Sequence, residues 1–151
     1  MSEPAAQQPL AFAALVLALA GELVQGVHER VVAAGFDDLR PAHGFAFARI
    51  SHGGATTAEL AEHLGVTKQA SAQLVDELVR KGYVERTPHP GDARARLLRL
   101  SERGWACTRA ADAAAVAAVA PYQEALGAER FAALVRDLGA LDPKGPIRPA
   151  W

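Results

Sequence analysis

The residues of this sequence best suited to chemistry are arginines in one short segment, RTPHPGDARARLLRLS, residues 86–101. Two prolines and a glycine fall within four of its residues, and Arg94, Arg96 and Arg99 follow. Because proline fixes the backbone and Gly91 allows a tight turn, the pattern predicts a short, stiff excursion from the chain. Guanidinium groups held on such a turn can reach a phosphate backbone or the minor groove of a double helix.

The same charges also have structural interpretations. Arg94 and Arg96 could be solvated turn residues, and Asp92 could pair with one of them to hold the turn. We expect both roles to be filled, with Asp92 orienting the turn and Arg94 reaching the nucleic acid. Arg86 and Arg99 are better suited to phosphate contacts or ion pairs than to reading bases.

A second group of polar residues lies near the start of a predicted helix, and we expect it on the outward side of that helix. Glutamine can form two hydrogen bonds to adenine. The alternative is a solvated helix face, but the adjacent basic turn favours contact with DNA. The predicted DNA-contacting residues of the helix and the turn are Thr67, Lys68, Gln69, Ser71, Gln73, Arg86, Asp92, Arg94 and Arg96.

The segments that must position these residues predict a helix-turn-helix. Thr57 is placed to cap a short helix that Gly65 ends, and Thr67 is placed to cap a second helix that Gly82 ends. In such a motif the second helix is the one that enters a DNA groove. The residues expected on the inner side of that second helix are Ala70, Leu74, Leu78 and Val79.

Two strand-like runs follow, YVERT and RLLRLS, around the turn PHPGDA. Alternation puts Leu98 and Leu100 on one face of the second strand, and Leu97 and Arg99 on the other. A helix-turn-helix followed directly by a β-hairpin is the winged-helix arrangement, so the stiff basic excursion is interpreted as the wing. The predicted fold class is mainly α (α+β), a winged helix-turn-helix with a two-stranded β-wing and an α-helical dimerisation region.

A long apolar helix is predicted before this lobe, over residues 10–34. Its first half, LAFAALVLALA, is too apolar for the surface of a monomer and therefore suggests a subunit interface. A secretory signal is the alternative, but no Lys or Arg precedes Arg30, and a run of eleven residues is too short to span a bilayer. A short helix is predicted over residues 42–51, at the start of the lobe.

After the lobe, Ser101 is placed to cap another helix, in which eight of the thirteen residues from Thr108 to Ala120 are alanine. Pro121 should kink or interrupt it. A last amphipathic helix should carry Phe131, Leu134, Val135 and Leu138 on one face. We predict one domain over residues 1–151, with dimerisation helices over 10–34 and 101–141, a DNA-binding lobe over 42–100 and an extended C-terminal arm over 142–151.

Charge and cysteine content agree with this organisation. The net charge of −1 conceals eight basic and five acidic residues in 66–104, against three basic and seven acidic residues in 1–65. The predicted lobe therefore contains the basic part of the chain. The single cysteine, Cys107, cannot form an internal disulfide, which favours a reducing, cytoplasmic location without a membrane partner.

The string TTAELAEHLGVTKQASAQLVDELVRKGYVERTPHPGDARARLLRLSERG, residues 56–104, resembles the multiple-antibiotic-resistance regulator (MarR) family of bacterial winged-helix transcription factors. The likeness lies in LGVT, in LVDELVRKGYVER and in the Asp92-Ala93-Arg94 wing, whereas the flanking helices match only in layout. Two departures are His89, where the family usually has an acidic residue, and Gln73, where it often has arginine.

The resemblance implies a homodimer that binds double-stranded DNA at a pseudo-palindromic operator, usually as a repressor. It places the helix from Thr67 in the major groove and Arg94 in the minor groove. It also implies release by a small aromatic or acidic effector, bound between the dimerisation helices and the lobe. Four residues could line that effector site or could be plain core: His43, Phe45, Phe47 and Trp105.

Other functions are less well supported by the residues. The five histidines show no chelating pair and Cys107 has no partner cysteine, so no metal or other cofactor is predicted. We see no nucleophile–base constellation, phosphate loop or paired acids, and therefore predict that the protein is not an enzyme. The alternative function is a small-molecule, redox or metal sensor whose DNA binding is weak or lost.

Overall fold

The first half of the fold, in the computed structural model that describes residues 3–142, consists of four helices in succession. They are α1 (Glu3–Ala33), α2 (Pro41–Ser51), α3 (Thr57–Leu64) and α4 (Lys68–Arg80). The antiparallel strands β1 (Val84–His89) and β2 (Asp92–Leu100) follow, and then α5 (Glu102–Leu126) and α6 (Ala128–Ala140). This confirms the predicted fold class, a mainly helical winged helix. Apart from Asp142, the expected C-terminal arm lies outside the described residues.

Helix α3 begins one residue before the predicted position, because Thr56 rather than Thr57 is its cap. The Thr56 hydroxyl accepts a hydrogen bond from the Glu59 amide at 3.2 Å, and the Glu59 carboxylate accepts one from the Thr56 amide at 2.7 Å. Only Thr56 has a glutamate three residues later, which this reciprocal capping requires. Gly65 ends α3 in the left-handed conformation, as expected, with φ 61°.

Helix α4 begins as predicted, but its inner face is rotated from the expected one. The Thr67 hydroxyl caps it by accepting from the Ala70 amide at 3.1 Å. Its buried stripe is Ser71, Val75 and Leu78, while Ala70 is exposed. Expecting Ala70 inside and Ser71 outside was therefore wrong. The buried Ser71 hydroxyl is satisfied because it donates to the Thr57 carbonyl of α3 at 2.9 Å.

The wing is longer than the two predicted runs, since pairing extends through Pro88↔Arg96 to His89↔Asp92. A register shift lies between Pro88 and His89, and Pro90 and Gly91 form the turn. At the other end, Leu98 forms an isolated bridge with Ala55, with N–O distances of 2.8 and 3.2 Å. This bridge attaches the base of the wing to the segment between α2 and α3.

Helix α5 is capped by Ser101, as predicted, but Pro121 does not interrupt it. The helix continues to Leu126, and Gly127, with φ 78°, separates it from α6. Helix α6 has no fully buried residue, and Leu134, Val135 and Leu138 of its apolar face are exposed. The last two helices therefore leave an apolar surface uncovered in the single chain.

Helix α1 starts seven residues earlier than predicted and passes through Pro9. Residues 7–20 are exposed on all sides of the helix, whereas Val27 and Val31 farther along pack against the core. By length and composition alone, the span Gln7–Ala33 is suited to cross a membrane. This is weak evidence, because a helix that a second subunit covers has the same properties.

Candidate nucleic-acid interface and adjoining cavity

The start of α4 presents polar side chains to solvent. Lys68, Gln69 and Gln73 are exposed, so one positive charge and two carboxamides are free to meet a polyanion. Thr67 is also exposed, although its hydroxyl is engaged as the helix cap. Ser71 is the exception among the predicted contacts, because its side chain is fully buried and cannot reach a ligand outside the protein.

The tip of the wing carries exposed arginines on a backbone that its own side chains hold. The Asp92 carboxylate accepts from the Arg94 amide at 2.9 Å, and the His89 ring accepts from the Gly91 amide at 3.0 Å. Asp92 thus orients the turn through the main chain and not through a guanidinium group. Among residues 7–142, whose side chains are described, no carboxylate lies in ion-pair distance of Arg94 or Arg96, so both charges are available for a partner.

The two exposed surfaces are joined by an ion pair. Arg86 on β1 donates to the Asp76 carboxylate on α4. Of the two roles considered for Arg86, ion pair or phosphate contact, the structure contains the ion pair. The pair fixes the base of the wing relative to α4, so that the wing and the helix present their charges as one unit.

A cavity of about 710 Å³ lies between α1, α2 and α5. Its walls are mostly apolar, and Phe45, Phe47 and Trp105 are among the residues that line it. His43 was expected there, but it does not line the cavity: its side chain is fully buried on the α4 side of α2. The charged or titratable groups of the lining are His28, Arg40, His52, Cys107 and Asp112.

Comparison with known proteins identifies the lobe. Residues 38–95 match the model of the MarR family. The lobe is a MarR-family winged helix.

Solved structures extend the likeness to most of the chain. The apo form of wild-type MarR from E. coli is 26% identical with a TM-score of 0.71, over 87% of this chain and 96% of that one. A cysteine-to-serine mutant of MarR, complexed with operator DNA, is 24% identical with a TM-score of 0.67, over 90% and 96%. RV1404 from Mycobacterium tuberculosis is 25% identical with a TM-score of 0.72, over 100% and 99%. No curated protein matches the chain.

A cluster around Glu77 connects α4 to α2. The Glu77 carboxylate accepts from Arg40 at 2.7 Å and from Lys81 at 2.8 Å, and it lies 3.4 Å from His43 Nε2. The hydrogen bond from Lys81, followed by the charges of His43 and Arg40, lowers the pKa of Glu77 to about 2. Glu77 is therefore an anion at neutral pH.

His43 is held in one tautomer by the start of α2. Its Nδ1 accepts from the Arg40 amide at 3.0 Å, so the proton lies on Nε2, which faces Glu77. Burial lowers the pKa of His43, against the opposing charge of Glu77. The sequence signal for this role was available: His43 is the third residue of a helix that begins with proline, where a side chain can accept from the cap.

A second set of contacts between elements is centred on Tyr83, which is fully buried. Its hydroxyl donates to Asp38 at 2.6 Å, and the Arg103 guanidinium lies 4.2 Å from its ring centroid. Burial and then the bond to Asp38 raise the pKa of Tyr83, and the same bond lowers the pKa of Asp38. Lys81 also donates to the Asp38 carbonyl, so the α1–α2 loop, the end of α4 and the start of α5 are tied together.

Cys107 lies in the cavity wall but is a buried thiol. Burial, and then the charge of Asp38, raise its pKa to about 11, so it is protonated at neutral pH. Because the thiolate is the reactive form, this environment disfavours oxidation. Among the residues that the structure describes, no group of three or more His, Cys, Asp or Glu residues is arranged to hold a metal ion.

Proposed function

We propose that this MarR-family regulator binds a pseudo-palindromic DNA operator as a homodimer, represses transcription there, and is released by a small organic effector. The observation that supports DNA binding is the ion pair between Arg86 and Asp76. This pair holds the exposed wing arginines in a fixed position relative to the exposed face of α4. A sensor that had lost DNA binding would have no need for unpaired arginines on a fixed turn.

The wing tip and the start of α4 suit different parts of a DNA duplex, because their side chains differ in chemistry. Lys68 and the wing arginines suit phosphates and the narrow minor groove, where shape and charge decide affinity. Gln69 and Gln73 have carboxamides that can read base edges in the major groove. The mutant E. coli MarR is complexed with operator DNA, which supports the same use of this fold here. The proposed contact set therefore omits Ser71 but keeps the other predicted residues.

The homodimer is supported by the uncovered apolar surface. Leu10, Leu15 and Leu17 of α1 are each more than half exposed, as is Leu141 just after α6. Monomeric proteins rarely expose contiguous apolar surface of this kind. The same helices of a second copy could cover the exposed apolar residues of α1 and of the end of α6. In such a dimer, two recognition helices spaced about one turn of DNA (~34 Å) would match a palindrome. A second copy packed against α1 also accounts for the apolar composition of this helix in a cytoplasmic protein.

The effector site is the cavity between α1, α2 and α5. Its volume of about 710 Å³ suits a small organic molecule. Phe45, Phe47 and Trp105 supply aromatic walls, and the cavity lies between the helices proposed for dimerisation and the lobe. A ligand there would change the spacing of the recognition helices and lower DNA affinity.

Selection of binding sites from a random double-stranded DNA library, with the full-length protein, tests DNA recognition. We expect enrichment of an inverted repeat whose half-sites are about 10 base pairs apart, centre to centre. The Arg94→Ala variant should enrich the same repeat but retain less DNA in each round, whereas Arg109→Ala, at an exposed arginine on α5, should retain as much DNA as the wild type. Failure of the wild type to enrich any sequence would contradict the proposed function.

A further inference from the structure

The start of α5 is attached to the segment that follows α4 through three consecutive main-chain carbonyls. The Arg103 guanidinium donates to the Lys81 carbonyl at 2.6 Å. The Ser101 hydroxyl donates to the Gly82 carbonyl at 2.6 Å, and the Ser101 amide donates to the Tyr83 carbonyl at 3.0 Å. The end of α4 is therefore connected to α5 by a short, hydrogen-bonded junction.

Asp38 adds the loop between α1 and α2 to this junction. Its carboxylate accepts from the Tyr83 hydroxyl at 2.6 Å and from the Arg103 guanidinium at 3.5 Å. Its main-chain carbonyl accepts from Lys81. Because α1 and α5 are the helices proposed for dimerisation and α4 is the proposed recognition helix, the junction connects the two halves of the proposed function.

The Tyr83 hydroxyl supplies the directional part of this connection. The Tyr83 ring is packed at centroid distances of 6.3 Å from Phe36 in the loop and 5.5 Å from Phe47 on α2. Apolar contacts of this kind are not directional, so rings can shift past one another at little cost. The hydrogen bond to Asp38 is directional, and a buried hydroxyl that loses its acceptor is destabilising. A shift of the loop relative to Tyr83 is therefore opposed mainly by this bond.

We propose that the hydrogen bond between Tyr83 and Asp38 is a positioning contact for operator binding, because it fixes the orientation of the DNA-binding lobe relative to α1 and α5. In the proposed homodimer this orientation sets the distance between the two recognition helices, and so the spacing of half-sites that the protein accepts. The inference rests on the proposed function and adds the residues that set this spacing. Tyr83 is fully buried, so it acts through the orientation of the lobe and does not touch DNA.

Two operators test the proposal, one with the half-site spacing that the wild type selects and one with a single base pair inserted between the half-sites. The insertion adds ~3.4 Å and rotates one half-site relative to the other by about 35°. The full-length wild type should bind the longer operator more weakly. Fluorescence anisotropy with both operators gives the spacing ratio, which is the dissociation constant for the longer operator divided by that for the selected one.

Tyr83→Phe keeps the packed ring and removes only the hydroxyl. A less firmly held lobe can adapt to the longer operator, so the spacing ratio should fall. The expected decrease is roughly 3- to 10-fold, the factor in an equilibrium constant to which one net hydrogen bond corresponds. A merely structural role predicts a different result, because loss of folded protein would weaken binding to both operators by the same factor and leave the ratio unchanged.

Tyr122→Phe is the matched control. The Tyr122 hydroxyl also donates to a carboxylate on another element, Glu22, at 2.9 Å. That bond links α5 to α1, so its loss leaves the attachment of α4 in place. Tyr122→Phe should keep the wild-type spacing ratio, and thermal melts should show that all variants are folded.

Substitutions of Asp38 test the same bond from its acceptor. Asp38→Ala removes the acceptor and should lower the spacing ratio as much as Tyr83→Phe. The double variant should lower it no further, because both changes remove one interaction. Asp38→Asn keeps an oxygen that can accept from the Tyr83 hydroxyl and should retain most of the wild-type ratio.

The outcomes separate this inference from the function on which it rests. An unchanged spacing ratio in folded Tyr83→Phe and Asp38→Ala would overturn the positioning role and leave operator binding standing. An equal decrease in Tyr122→Phe would also overturn it, because the effect would then not be specific to the junction. Equal affinity of the wild type for both operators would contradict the proposed match between two recognition helices and two half-sites, and the positioning role with it.

Discussion

Arg86 on β1 and Asp76 on α4 form an ion pair that joins the wing to α4. Both partners are on the surface, so the pair contributes little to global stability, about 0–1 kcal/mol. Its effect is geometric, because it limits the angles that the wing can adopt relative to α4. The wing arginines and the α4 glutamines are thereby held at a fixed separation from each other.

Arg94→Ala should weaken operator binding at most sites by a similar factor, because a minor-groove or phosphate contact is largely independent of sequence. The slope of log K against log salt concentration should fall by about 1 per protomer. Fluorescence anisotropy of labelled operator at several salt concentrations measures both, with Arg109→Ala as the control. Wild-type affinity and slope in Arg94→Ala would show that the wing does not contact DNA.

Gln69→Ala and Gln73→Ala should change base preference as well as affinity, since carboxamides read base edges. Each lost base contact should cost roughly 1–3 kcal/mol at the preferred base and little at the others. Site selection with each variant, compared with the wild type, gives the preference at every position. A uniform loss across all sequences would assign these residues to phosphate contacts instead.

The sequence was sufficient for the order of elements and for most of the proposed interface. Capping residues such as Thr67 and Ser101 and the glycine after α3 act locally, so they could be recognised without tertiary information. Which face of α4 is buried could not be determined in this way. Ser71 is polar yet buried, because a carbonyl on α3 satisfies its hydroxyl, and that partner is visible only once two helices are packed.

The predictions for His43 and Arg86 were limited for the same reason. His43 was expected in the cavity, and Arg86 was left as either an ion pair or a phosphate contact. The partners that decide their roles both lie on α4. Glu77, the partner of His43, is 34 residues after it in the sequence, and Asp76, the partner of Arg86, is 10 residues before it. Contacts between elements of this kind depend on how the helices pack. The apolar excess of α1, in contrast, was evident from composition alone, and the structure shows that residues 7–20 are uncovered in a single chain.

The wild-type protein should be a dimer of twice 15.9 kDa by light scattering at micromolar concentration. Leu17→Lys should shift it to the monomer, because Leu17 is 71% exposed in the single chain and a charge there opposes only association. Gln25→Lys places the same charge on an exposed polar position of α1 and should remain dimeric. A wild-type monomer that binds DNA would refute the proposed dimer.

Release from DNA should respond to organic ligands and not to peroxide. Cys107 is buried, with its pKa raised to about 11, so little thiolate is available to react. Gel-shift assays of the operator complex against a panel of aromatic acids, with peroxide and divalent metals in parallel, make the comparison. Release by peroxide that disappears in Cys107→Ser, with no response to any organic compound, would make Cys107 the sensor.

His43 should make folding stability depend on pH near neutrality. Burial lowers its folded-state pKa below the ordinary 6.5, so the unfolded chain binds more protons in the window between these two values. The stability from neutral His43 is present above about 6.5 and is lost as the pH falls from there through the folded-state pKa. Glu77 acts in a separate, more acidic window, between its ordinary pKa of 4.5 and about 2.

Urea unfolding of the full-length protein as a function of pH measures this dependence. His43→Asn keeps a side-chain acceptor near the Arg40 amide but removes the titrating ring, so it should flatten the stability profile just below about pH 6.5. His52→Gln, at an exposed histidine of the cavity rim, serves as the control and should retain the wild-type slope. If His43→Asn kept the wild-type slope, the neutral, Glu77-facing ring of His43 would not be the group that titrates.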